Sequence, residues 1–316
     1  MELEENLVSE ELLEEADIAL CSNFTKDTWF ELPVMISRIP EKAEESAVLF
    51  DVKAPRRSLS SIEAELHVCQ HLGWEPILHI DQGLYNFQET YEIIKRAANI
   101  CGRKVAVALG ALTKNELALI RPYVSSLIVR LETVNKGIQK RIIPQKLLLG
   151  YLMTFGEARD FERGIELTLG IGETLEDISE LVRFISTHDI GRVTFFVAQQ
   201  KMLQKRSSSS FYIARWIAET RINFPKIKIA AGTWVQRQAE VGLFLRAGAN
   251  AITQFPALRY FNSEYSRVIE SECANAKRRL RGTLSDHSRL ESLDRSLIKE
   301  EVRGKLDKYI AAMKRI

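Results

Sequence analysis

The sequence predicts an α/β protein, a closed (β/α)8 barrel of the TIM type with an N-terminal helix and a C-terminal helical extension. Three observations predict it. At 316 residues and 46% hydrophobic content the chain can bury one large core, and closed α/β barrels are the usual single domains of that length. Eight short apolar runs alternate with longer helical patterns, mostly at intervals of about 20–30 residues, the size of one strand–helix unit. No break in composition divides the eight, which favours a closed barrel over an open sheet.

A capped helix is expected over Ser9–Leu20 (SEELLEEADIAL), inside an N-terminal helical segment covering residues 1–40. The barrel is expected over residues 41–260. Its first four strands are expected at Ala47–Pro55 (AVLFDVKAP), Glu75–Gly83 (EPILHIDQG), Lys104–Thr113 (KVAVALGALT) and Ser126–Thr133 (SLIVRLET). The other four are expected at Ile165–Thr174 (IELTLGIGET), Arg192–Gln200 (RVTFFVAQQ), Ile227–Trp234 (IKIAAGTW) and Asn250–Pro256 (NAITQFP). Their largely apolar character suits strands covered on both faces. Helices are expected between them, among them Ser60–Leu72 and Thr174–Thr187, the second with Thr174 as N-cap and Asp177 at the capping-box position. From Glu264 the pattern is helical again, within an extension covering residues 261–316.

Charged residues make up 27% and the net charge is only +2, so neither nucleic acid nor a membrane surface is the expected partner. The charge is unevenly placed, acidic at the start (Glu10, Glu11, Glu14, Glu15, Asp17) and basic near the end (Lys277, Arg278, Arg279, Arg281). Two solvated faces that attract each other, or a basic docking face for an acidic partner, both fit that pattern. The N-terminus carries no secretory pattern, and no apolar run reaches the about 18 residues that a membrane span needs. Cys21, Cys69, Cys101 and Cys273 lie far apart, as incidental thiols do in a reducing compartment. A cytoplasmic protein is expected.

In this fold, chemistry sits at the C-terminal ends of strands and in the loops just after them. That rule selects Asp51 and Lys53; His79, Asp81 and Gln82; Arg130, Glu132 and Thr133; Gly170, Gly172 and Glu173; Gln199 and Gln200; Thr233 and Trp234; and Thr253 and Gln254. Side chains two apart share a strand face, so Asp51 goes with Lys53 and Arg130 with Glu132. Each pair reads either as a structural ion pair or as a site, because a charge facing into a barrel needs a partner or a ligand. Trp234 reads as a plug of the barrel mouth or as a stacking surface. Gly170 and Gly172 permit close backbone approach to a helix or to a cofactor.

At the fourth strand the spelling becomes more specific than the fold. Arg130-Leu131-Glu132-Thr133, followed by Arg141-Ile142-Ile143-Pro144, resembles a signature of one branch of the radical S-adenosylmethionine (SAM) enzymes. That branch includes the iron-only hydrogenase maturase and methylornithine synthase, with biotin synthase more distant. Gly164–Thr174 (GIELTLGIGET), Leu109–Leu117 (LGALTKNEL) and Leu245–Phe255 (LRAGANAITQF) resemble its fifth-, third- and eighth-strand segments, so the likeness runs roughly from Arg57 to Arg281. The resemblance implies that Arg130 and Glu132 approach bound SAM, with Lys146 in loose alignment to a further basic residue at its carboxylate. Thr133, Gly170, Gly172, Gln199 and Thr233 complete the expected cofactor-binding set.

The family holds a [4Fe–4S] cluster through three thiolates spaced CxxxCxxC after the first strand, and this chain contains no such spacing. The resemblance therefore implies a cluster-free barrel that binds SAM or a related small molecule as a non-catalytic or accessory subunit, with an active radical SAM homologue as a protein partner. Two alternatives stay open. One is a lyase in which Lys53 forms a Schiff base and Asp51 moves protons. The other is an active radical SAM enzyme with unusual cluster ligands.

Overall fold

The computed structural model describes residues 7–35, 56–80, 84–142, 148–198 and 209–314. Eight parallel strands close a barrel: β1 (Asp27–Met35), β2 (Glu75–His79), β3 (Val105–Ala108), β4 (Val124–Glu132), β5 (Glu162–Leu169), β6 (Arg192–Val197), β7 (Lys228–Gly232) and β8 (Ala251–Thr253). Each pairs with the next, and β1 closes the ring by pairing with β8 at Trp29↔Ala251 and with β2 from Glu31↔Glu75 to Met35↔His79. This is the (β/α)8 barrel that the apolar runs predict.

The first strand is a correction. The run at Ala47–Pro55 lies outside the described residues, and β1 lies at Asp27–Met35, inside the stretch read as an N-terminal helical segment. DTWFELPVM hides its nature because Asp27 and Glu31 interrupt the apolar pattern and Pro33 argues against a central strand. Pairing explains the two charges. Glu31 is buried against Arg192, and Asp27 is held by Arg279 and Arg281. These two arginines belong to β9 (Arg279–Arg281), a short strand inside the expected helical extension that pairs with Asp27–Trp29.

Alternation along the strands sorts side chains into two environments. Val105 and Val107 of β3, and Leu127, Val129 and Leu131 of β4, join the main core under the helices. Their alternates Ala106, Ala108 and Ile128, with Ile77 of β2, form a second buried cluster on the lumen side. Charged residues share that inner face. Arg192 reaches from β6 to Glu31 on β1, and Gly164 makes room for it, since a Cβ there would sit 3.4 Å from Arg192 Cδ and 3.0 Å from Ile128 Cγ1.

The helices begin and end as their caps dictate. Ser9 caps Glu10–Cys21 by accepting from Leu12 N at 3.2 Å. Asn86 with Glu89, and Thr113 with Glu116, form capping boxes on Phe87–Cys101 and Lys114–Ile120. The expected box at Thr174 is half formed. Asp177 accepts from Thr174 N at 2.9 Å, but the helix starts at Asp177 itself. The acidic and basic ends of the chain do meet, through the Asp17–Arg278 ion pair. At the end of β1, Arg57 donates to Met35 O at 2.6 Å and to Tyr309 Oη at 2.8 Å, and pairs with the buried Glu65. It thereby ties the barrel rim to helices Leu59–Leu72 and Glu300–Met313. No helix among the described residues is long and apolar enough to cross a membrane.

Candidate functional site

The C-terminal ends of β2, β4 and β5 bring together His79, Arg130, Glu132, Glu166 and Thr168. β4 carries a bulge here: Arg130 pairs with Glu166 of β5, while Glu132 pairs with Leu167, so one extra residue is inserted. Glu132 takes up the irregularity with φ 66°, a left-handed conformation uncommon outside glycine. Thr168 Oγ1 donates to Glu132 Oε2 at 2.6 Å and fixes the carboxylate. A non-glycine residue held in that conformation by a bulge and a hydrogen bond is a mark of a functional position.

Arg130 stands between two carboxylates, with Nη2 3.4 Å from Glu132 Oε1 and Nε 3.5 Å from Glu166 Oε2. Glu166 Oε1 lies 3.3 Å from His79 Nε2. These separations are long for charge-assisted contacts, which close to about 2.7–2.9 Å. Elsewhere the same chain closes Arg96–Glu63 and Arg56–Glu89 at 2.7 Å. Burial, with the positive charges of Arg130 and Arg192, holds His79 down to about 3, so its ring is neutral at physiological pH.

The other expected residues fall into three groups. Asp51, Lys53, Lys146 and Gln199 lie outside the described residues, as do Asp81, Gln82 and Gln200. Thr133, Gly170 and Gly172 line the rim beside the bulge. Thr133 Oγ1 accepts from Asn135 N at 3.1 Å, and Asn135 Nδ2 donates to Asp177 Oδ1 at 2.8 Å. The loop after β5 closes on its own carboxylate, because Glu173 accepts from Gly170 N and, at 2.9 Å, from Ile171 N. Gly172 (φ 115°) lets Arg141 cross the loop, with Nη2 donating to Ile171 O at 3.3 Å. Those two amides are therefore engaged by a side chain of the chain itself.

Thr233 is fully buried and donates to Arg237 O at 3.0 Å, away from the lumen. Trp234 and Gln254 latch the rim. Trp234 Nε1 donates to Val197 O at 2.9 Å, and Gln254 accepts from Val197 N at 3.0 Å.

Sequence reasoning missed Glu166, Thr168, Glu31 and Arg192. The first two had a signal, since Glu166 and Thr168 alternate with Ile165, Leu167 and Leu169 and so must share the inner face. Glu31 and Arg192 are 161 positions apart, and neither strand announces the other.

The cysteines sit on four separate helices. Cys21 is exposed, Cys69 and Cys273 are buried, and Cys101 ends Phe87–Cys101. Burial pushes the thiol of Cys101 up to about 11 and that of Cys273 up to about 12, and Cys69 well above its usual range. Thiols dispersed over four helices, with those of Cys69, Cys101 and Cys273 kept protonated by burial, do not fit the three converging thiolates of a [4Fe–4S] cluster. Among the described residues no group of three or more His, Cys, Asp or Glu side chains is placed to hold a metal ion.

No family profile matches the chain. The uncharacterized protein MJ0597 of Methanocaldococcus jannaschii is 30% identical over 244 residues, which cover 75% of this chain and 67% of that protein. Methylornithine synthase PylB superposes with TM-score 0.64 at 17% identity, over 80% of each chain. The FeFe-hydrogenase maturase HydG of Carboxydothermus hydrogenoformans superposes with TM-score 0.66 at 13% identity, over 96% of this chain and 82% of its own. At such identities the likeness shows the fold alone, a (β/α)8 barrel of the type these enzymes have.

Proposed function

Because this chain belongs to the family of the uncharacterized Methanocaldococcus jannaschii protein MJ0597 and folds as a radical SAM-type barrel, we propose that it binds SAM or a related small molecule without a cluster. It acts as an accessory, non-catalytic subunit, and an active radical SAM homologue is its protein partner. The observation that carries this reading is the gathering of Arg130, Glu132 and Glu166 at the strand ends, with the bulge in β4 and the left-handed Glu132 fixed by Thr168.

Arg130 would meet a ligand carboxylate, and Glu132, held by Thr168, would accept from an ammonium or from ribose hydroxyls. SAM, when bound, would supply those groups. The four thiols of this chain, dispersed over separate helices, do not fit the three converging ligands of a [4Fe–4S] cluster. The test is calorimetry with SAM and S-adenosylhomocysteine. Loss of one charge-assisted bond in Arg130→Ala should weaken binding by about 1.5–3 kcal/mol, roughly 10- to 150-fold. Glu132→Gln should weaken it as well. Unchanged affinity in both variants would reduce the pair to a structural element.

A further inference from the structure

We infer that the inner wall at His79 is a ligand subsite for a neutral hydrogen-bonding group, a carboxamide or a hydroxyl, carried on a small and partly apolar molecule. The inference deepens the mouth reading above, and it rests on that reading for the idea that a small molecule enters the barrel at all.

His79 is the last residue of β2, so it opens toward the face through which ligands reach barrels of this kind. Its side chain is only 5% exposed, yet neither ring nitrogen has a hydrogen-bond partner among the described residues. Buried polar groups in folded proteins are almost always bonded, so two orphaned nitrogens on one ring call for a missing partner. The surrounding wall says what that partner is attached to. Ile77, Ala106, Ala108 and Ile128 form an apolar cluster on the same inner face, and the Phe196 ring lies 6.4 Å from the imidazole.

The charge pattern selects the group itself. A neutral imidazole presents one donor and one acceptor, which a carboxamide or a hydroxyl matches in kind. An ammonium would meet the same field of Arg130 and Arg192 that keeps the ring unprotonated. A carboxylate would meet Glu166, whose Oε1 is 3.3 Å from Nε2. Neutral polar ligands are the class that neither charge rejects.

The experiment uses the full chain with 15N-labelled histidine. It has five histidines, and His79 is assigned from the spectrum of His79→Gln, or by elimination from variants of the other four should that protein not fold. Propionamide, propionate and propylammonium are titrated into wild type at neutral pH, and the ring nitrogens are followed by long-range 1H–15N correlation. The expected result is a saturable movement of the His79 signals with propionamide and none with either ion. An unmoved His79, or an equal response to an ion, overturns the subsite. SAM calorimetry on the same sample keeps the two readings apart. A propionamide response without SAM binding supports the subsite and sinks the mouth reading, whereas SAM binding beside an unmoved His79 overturns the subsite alone.

Discussion

Acidification should destabilise this protein through His79, and the size of the effect follows from the structure. The ring is buried in the lumen, and its pKa falls from 6.5 to about 3 under burial and the fields of Arg130 and Arg192. The unfolded chain takes up a proton as pH drops through 6.5, while the folded chain refuses it until about 3. Stability is therefore fully present above pH 6.5 and falls as pH is lowered through the window between the two values. A single group with this shift costs about 2 kcal/mol at pH 5 relative to pH 7.5. Glu31 and Glu65 work in the opposite sense, because burial raises both and the folded state then binds protons more readily than the unfolded one. A difference between two proteins isolates the histidine. Urea unfolding of wild type and His79→Gln at pH 5 and pH 7.5 should show the wild type losing about 2 kcal/mol more than the variant over that interval. Parallel pH dependences, or a His79 signal titrating near its ordinary value, would show that the folded barrel does not hold this ring neutral.

Three further outcomes are expected. Arg192→Met leaves Glu31 charged and buried and should destabilise the barrel by about 3–5 kcal/mol, with the double variant carrying Glu31→Gln recovering much of the loss in chemical denaturation. Gly164→Ala introduces a Cβ 3.0 Å from Ile128 Cγ1 against a packed wall, and its overpacking should lower stability by about 1–3 kcal/mol. Borohydride treatment with a panel of small aldehydes and ketones should leave Lys53 unlabelled by intact mass, because a lysine amine stays protonated at neutral pH unless burial or a neighbouring cation lowers its pKa. Stoichiometric labelling confined to Lys53 would establish the lyase reading instead.

The barrel was legible because its period is written in the apolar runs, and seven of the eight strands lie where those runs place them. The eighth failed for a physical reason. A strand whose inner face carries Asp27 and Glu31 looks solvated until its partners, Arg279, Arg281 and Arg192, are brought in from far along the chain. β9 escaped notice for the same reason, since three residues pairing with Asp27–Trp29 carry no pattern of their own. At the site, Arg130 and Glu132 were legible from parity and strand position. The bulge between them, the left-handed backbone of Glu132 and the approach of Glu166 to His79 were not, because each depends on register between strands rather than on spelling within one.

A barrel that binds its small molecule without a cluster should hold neither iron nor colour. Anaerobic purification followed by iron analysis, a visible spectrum and SAM calorimetry on one sample tests it most directly. The expected result is a colourless protein with negligible iron and saturable SAM binding. Near-stoichiometric iron with iron–sulfide charge-transfer absorption would contradict it.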